Sequence, residues 1–151
     1  MLSSAEQCRF GINDLSAVTL DAATGLPRFN MPLELGLFFG CKRFGPKNQS
    51  RKRALVLDTG QYRYRAFISD ISGQDIRAHG ANPERVIREI RDWLRMASKR
   101  TTLPGGAQII ERYHRFQLDL PDLCAVLNLE PDRLTFFDVS TIITGWLRTS
   151  R

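Results

Sequence analysis

Apolar positions along the first sixty residues change rhythm twice. In "CRFGIND" (8–14), Cys8, Phe10 and Ile12 alternate with small or polar residues, which predicts a short strand ending at Asp14. "LSAVTLDAATGLPRFN" (15–30) carries no period, and Gly25 and Pro27 mark it as a loop. From there to about Lys42 the apolar residues recur at helical spacing. Asn30 is the expected cap, Pro32 lies in the first turn, and Arg43 and Gly45 are stop signals. "RALVLDT" (53–59) is an almost unbroken apolar run, the mark of a strand covered on both faces. Strand, helix and strand in that order predict a βαβ unit and a parallel sheet.

The chain opens in "SSAEQC", which reads as the last turns of a helix. Residues 60–80 read as a loop, a short helix near 65–71 and a short last strand in "QDIRAHG". "NPERVIREIRDWLRMASKR" (82–100) is the clearest helix, with Asn82 as cap, Pro83 at its first position and a stripe of Val86, Ile87, Ile90, Trp93 and Leu94. Three more helices are expected, at 107–116, in "LPDLCAVLNL" (120–129), and after the cap Thr135. Trp93, Tyr113, Phe116, Phe136, Phe137 and Trp146 hold much of the aromatic area, to cover one face of the sheet or to meet a second copy or partner domain.

The fold class expected is α/β: the short parallel sheet of a doubly wound, flavodoxin-like domain with a helical C-terminal part. Residues 1–80 form the α/β core, and the helices of 81–151 pack on that core within one domain. Only two or three strands can be found, and 53–59 calls for neighbours on both sides. Doubly wound domains usually open on a strand, whereas this chain opens on a helix end. The expectation is therefore that an N-terminal βαβ half is missing or that a partner subunit completes the sheet.

Composition narrows the class. At 42% hydrophobic and 25% charged, the chain reads as a globular protein, and no apolar stretch approaches the ~20 residues of a membrane helix. Its first residues lack the basic start and apolar core of a secretory signal. Cys8, Cys41 and Cys124 form no CxxC pair and no metal spacing, and read as reduced core cysteines of a cytoplasmic protein. The net charge of +6 permits nucleic-acid binding and suits an anionic small molecule equally well. The basic clusters "KNQSRKR" (47–53) and "RMASKR" (95–100) read as solvated linkers. No metal site is expected, because His79 and His114 stand alone.

The candidate chemistry starts from Glu34, one carboxylate among Leu33, Leu35, Leu37, Phe38 and Phe39. A charge in so much hydrocarbon costs several kcal/mol unless it is paired, protonated or facing a cleft; the alternative is a place on the solvent side of the helix. In a parallel α/β sheet the ligand crevice lies beyond the carboxyl ends of the strands. Asp14, Asn30 and Glu34 should gather there, with Glu34 and Asp14 as catalytic candidates and Arg28 and Asn30 as substrate-binding ones. "YRYRAFISDISGQD" (62–75) adds Tyr62, Arg63, Tyr64, Asp70, Gln74 and Asp75, because rings interleaved with guanidinium groups can stack a base and pair a phosphate. The competing reading is a structural network in which Arg65 pairs with Asp70. His79 follows the short strand and is placed to touch the site.

The strand-end aspartate, the loop and the helix reading "MPLELGLFFG" resemble the nucleoside 2-deoxyribosyltransferase fold and the related Toll/interleukin-receptor domains, over about residues 8 to 58. That resemblance implies that Glu34 attacks or stabilises the anomeric carbon of a nucleoside or of NAD, which would be substrates rather than bound cofactors, while Asp14 orients the substrate. The chain also resembles a group of uncharacterised bacterial proteins over Gly11–Ser16, Arg28–Leu37, Phe67–Ile76 and Ile90–Leu94. Members of that group carry an additional N-terminal βαβ segment. The expected function is a nucleotide- or NAD-binding domain cleaving an N-glycosidic bond through Glu34. The alternatives are a non-catalytic interaction or sensor domain of a bacterial stress or defence system, and a basic nucleic-acid binder.

Overall fold

The computed structural model describes residues 2–71 and 73–149, with backbone only for 2–4. Three parallel strands, β1 (Phe10–Asp14), β2 (Arg53–Asp58) and β3 (Asp75–Ala78), lie in the order β1-β2-β3. Phe10 pairs with Arg53 and Asp14 with Leu57, while Leu55 pairs with Asp75 and Asp58 with Ala78. The short parallel sheet anticipated from the strand–helix–strand order is present. β1 is an edge strand.

From Ala54 to Asp58 every residue of β2 is buried, as its unbroken apolar run requires. Ala54 and Val56 face a cluster with Leu15, Leu35, Phe38, Tyr64 and Ile71, built around helix α2 (Asn30–Phe44). Leu55 and Leu57 face Trp93 and Ala97 of helix α3 (Pro83–Ser98). This two-sided cover follows from the pleat, which sends alternate side chains to opposite faces. Helix α3 starts as its sequence predicts, with the Asn82 side chain accepting from Arg85 N at 3.1 Å.

Helix α2 starts differently. Its cap position is Phe29, with no side-chain cap bond, and Asn30 is already the first helical residue. The expected Asn30 cap is therefore corrected. Turn signals place a helix start only to within a residue or two.

The basic stretch 47–53 is only partly solvated. Lys52 is 3% exposed. Its ammonium donates to Ala5 O (2.7 Å), Glu6 O (3.0 Å) and Cys8 O, and lies 4.8 Å from the centre of the Phe38 ring. Those carbonyls close the C-terminal end of helix α1 (Leu2–Gln7), where a cation is favoured. Gln49 supports the same end, donating to Glu6 O at 3.1 Å. Lys52→Met keeps the stem and removes all three donors. It should cost about 1–3 kcal/mol by chemical denaturation, because the Ala5 and Cys8 carbonyls lose a charged donor and Glu6 O is left with Gln49; an unchanged midpoint would show that Lys52 is not the clasp of α1.

The cysteines divide as well: Cys124 is buried, Cys41 half-buried and Cys8 exposed, so only Cys124 is the core cysteine expected of all three.

The chain divides into two compact units, Met1–Leu103 and Pro104–Arg151. Helix α3 belongs to the first, so the boundary lies after Leu103 rather than at residue 80. The second unit is a helical hairpin of α4 (Gly106–Val126) and α5 (Phe136–Thr149). The two helices expected at 107–116 and 120–129 are one, running through Pro121. A mid-helix proline costs about 3 kcal/mol, which the burial of Phe116 and Cys124 against Ile142 and Trp146 offsets. Trp146 Nε1 donates to Asp119 Oδ2 at 2.8 Å. Thr135 and Asp138 form the reciprocal box that starts α5.

Candidate functional site

Strand β1 delivers Asp14 to the carboxyl end of the sheet, and the chain turns there at once. Asp14 Oδ1 accepts from the Ser16 amide at 2.9 Å and from the Ser16 hydroxyl. The Ser16 oxygen lies 2.8 Å from His79 Nε2, in the residue that follows β3, and His79 Nε2 is 3.5 Å from Asp14 Oδ1. A carboxylate only accepts, so the Ser16 proton goes to Asp14 and the serine oxygen accepts from His79 Nε2–H. In the neutral ring this leaves His79 Nδ1 as a buried lone pair without a partner among the described residues. Ser16 hands its proton to a carboxylate rather than to an imidazole, so the trio is not set up as an activated nucleophile.

Burial alone would raise the Asp14 carboxyl, but the Ser16 hydroxyl and amide, aided by His79, outweigh it and hold Asp14 below the usual carboxylate range. The trio thus presents an ionised, oriented carboxylate, with Oδ2 engaged by none of these bonds.

Asp14 opens on a cavity of about 200 Å³, shared with Ala17, Val18, Arg28, Asn30 and Met31. Three of the expected site residues, Asp14, Arg28 and Asn30, therefore come together at the crest of the sheet. Glu34 does not join them there. It lines a neighbouring cavity of about 270 Å³ along β1, with Phe10, Gly11, Ile12, Asn13 and Leu37. It is half-buried, not on the solvent side of its helix. The reason is helix geometry: α2 runs back from the crest, and four residues beyond Asn30 carry Glu34 about 6 Å down the axis.

The residues of 62–75 are dispersed. Arg63 reaches the crest as a clamp. Its Nε donates to Asp58 Oδ1 (2.8 Å), Nη1 to Val18 O (2.9 Å), and Nη2 to Leu15 O (2.8 Å) and Ser16 O (3.1 Å). It ties the end of β2 to the loop after β1, and its fork is spent on protein atoms. Tyr64 is 5% exposed in the core under α2. Tyr62 is exposed, left-handed at φ 63°, with the Arg65 guanidinium 4.5 Å over its ring. Arg65 thus stacks on Tyr62, and the described ion pairs do not include one with Asp70. Asp70 and Gln74 are exposed. Asp75 opens β3, at the other end of that strand from His79, and its Oδ2 accepts from Trp93 Nε1 at 3.1 Å.

Two members of the crest were not singled out in sequence. Asp58 is fully buried, with Oδ1 held by Thr59 N and Arg63 and Oδ2 unpartnered among the described residues. Its signal was available: like Asp14, it is the polar residue ending an apolar strand. Ser16 carried no signal, because serine two residues after an aspartate is ordinary turn chemistry. Among the described residues, no group of His, Cys, Asp and Glu is arranged to hold a metal ion, and no helix is long and apolar enough to cross a membrane.

Comparison with protein-family models, with curated proteins and with solved structures gave no match for this chain.

Proposed function

We propose that the protein binds a nucleoside- or nucleotide-type small molecule, NAD included, in the crest cavity lined by Asp14, Arg28 and Asn30. The observation that carries this reading is the oriented Asp14 carboxylate, fixed through one oxygen by Ser16 and opening on a cavity that Arg28 also lines. A fixed carboxylate suits the vicinal hydroxyls of a ribose. A guanidinium suits a phosphate, by bidentate charge-assisted bonds. The position, beyond the carboxyl ends of parallel strands, is where α/β sheets bind ligands.

Binding, rather than cleavage of an N-glycosidic bond, is what this geometry supports best. A catalytic carboxylate must lie within hydrogen-bond reach of the reacting atoms, and Glu34 lines the neighbouring cavity.

Calorimetric titration with adenosine, AMP and NAD tests the reading. At least one should bind, and Asp14→Ala should weaken it about tenfold or more, the loss of a charged hydrogen-bond acceptor. Arg28→Ala should weaken only the phosphorylated ligands. Glu34→Gln should leave the affinity unchanged. No heat from any of the three at millimolar concentration would sink the proposal. Nicotinamide released from NAD by the wild type but not by Glu34→Gln would restore the glycosidic reading.

A further inference from the structure

The free edge of β1 presents a second functional surface. Arg53 N donates to Arg9 O (3.0 Å) and Leu15 N to Leu57 O (2.8 Å). The parallel ladder therefore turns the backbone groups of Arg9, Gly11, Asn13 and Leu15 toward β2, and those of Phe10, Ile12 and Asp14 away from it. No strand pairs with that side among the described residues. Natural edge strands are blunted by lysine, proline or a bulge. The sequence Phe10–Asp14 has none of these, and Ile12 is 42% exposed on it. The groove beside it is strand-long, since four consecutive β1 residues line it. Asn13 also lines the groove, is 7% exposed, and its Oδ1 has no partner among the described residues.

We propose that this edge is the seam of a homodimer, in which two copies pair β1 antiparallel about a two-fold axis at Ile12. Three features of the strand are self-complementary in that register. Ile12 exchanges both backbone bonds with the partner's Ile12 and covers its exposed side chain. Asn13 lies opposite the partner's Gly11, which brings no side chain of its own; a Cβ there would lie 3.1 Å from the Phe38 ring. Phe10, with the Arg9 guanidinium 5.3 Å over its ring, lies opposite the partner's Asp14, whose carboxylate is the only acid of the strand. Each end of the seam thus sets a cation near an anion, twice by symmetry. Two three-stranded sheets become one of six, and both β1 strands gain the second neighbour that strands of a parallel sheet ordinarily have. Asp14 borders both this seam and the crest cavity, but pairing of the two strands requires no ligand.

Sedimentation equilibrium of the full chain, from about 1 to 100 µM, reads the seam directly. The mass should move from 17.2 kDa toward twice that value. Ile12→Lys, at an exposed position, and Arg9→Glu should each raise the dissociation constant about tenfold or more with unchanged far-ultraviolet dichroism. Should Ile12→Lys misfold, Arg9→Glu on the exposed Arg9 side chain still decides the matter. A single-chain mass at every concentration overturns the proposal. So does a dimer that Arg9→Glu, or a folded Ile12→Lys, leaves as tight as the wild type.

Discussion

Arg63→Ala is expected to lower the unfolding free energy of the sheet unit by about 3–5 kcal/mol, the usual cost of removing one partner from a buried ion pair. The mechanism is specific. Asp58 is fully buried, and Arg63 is the cation that holds it, at 2.8 Å. Without the guanidinium, Asp58 keeps only the bonds from Thr59, the carbonyls of Ser16 and Val18 lose the Arg63 donor, and Leu15 O keeps only the Val18 amide. Arg63→Lys restores the charge but not a fork that reaches Asp58 and the loop at once, so it should recover less than half of the loss. Arg63→Met combined with Asp58→Leu removes the buried charge together with its partner. It should be less destabilising than Arg63→Ala, because a buried pair replaced by apolar groups is often close to neutral. Urea denaturation followed by tryptophan fluorescence checks this series. The clamp assignment fails if Arg63→Ala stays within about 1 kcal/mol of the wild type. Because the same loop carries Ser16, Arg63→Ala should also weaken the ligand binding proposed at Asp14, although Arg63 does not itself line the crest cavity.

Trp93→Ala should cost a similar amount, about 3–5 kcal/mol, for a different reason. Trp93 is 1% exposed and fills the space between α3 and the sheet, packed on Leu55 and Leu57 and meeting the Phe10 ring edge-on at 6.1 Å. Truncation leaves a cavity in a core with few residues to collapse into it. Trp93→Phe keeps most of the ring and removes only the donor to Asp75, so it should cost nearer 1–1.5 kcal/mol. The chain's only other tryptophan, Trp146, lies in the second unit. A Trp146→Phe background therefore makes the fluorescence of Trp93 report the sheet unit. Trp93→Ala is followed there by circular dichroism. Equal midpoints for Trp93→Ala and Trp93→Phe would mean that the indole packing carries none of the stability assigned to it.

The elements were largely legible in the chain. An unbroken apolar run from Ala54 to Leu57 admits a strand covered on both faces, and that is how β2 lies. The spacing of Val86, Ile90 and Trp93 behind the Asn82–Pro83 start defined α3 and the face it buries. Local signals were weaker where packing competes with propensity. Pro121 did not divide α4, because Phe116 and Cys124 on either side of it are buried in one core. Lys52, read as part of a solvated basic run, is spent inside on the carbonyls of α1. No pattern in 47–53 distinguishes it from Lys47 or Arg51.

What the sequence by itself determined was periodic: two strands with a helix between them, a further short strand, a strong amphipathic helix, and Asp14 at a strand end where parallel sheets bind ligands. These follow from side-chain alternation and helical repeat, which the order of residues alone encodes. What only the tertiary structure decided was convergence. Asp14 found Ser16 two residues away, and Ser16 in turn found His79 sixty-three residues on. Arg63 turned inward to Asp58 rather than outward to a ligand. Glu34 left the group it was expected to join, because α2 descends from the crest by 1.5 Å per residue and carried it to the edge of β1. The repeat of a helix says which residues share a face; only its packing direction says how far along the sheet each one lands.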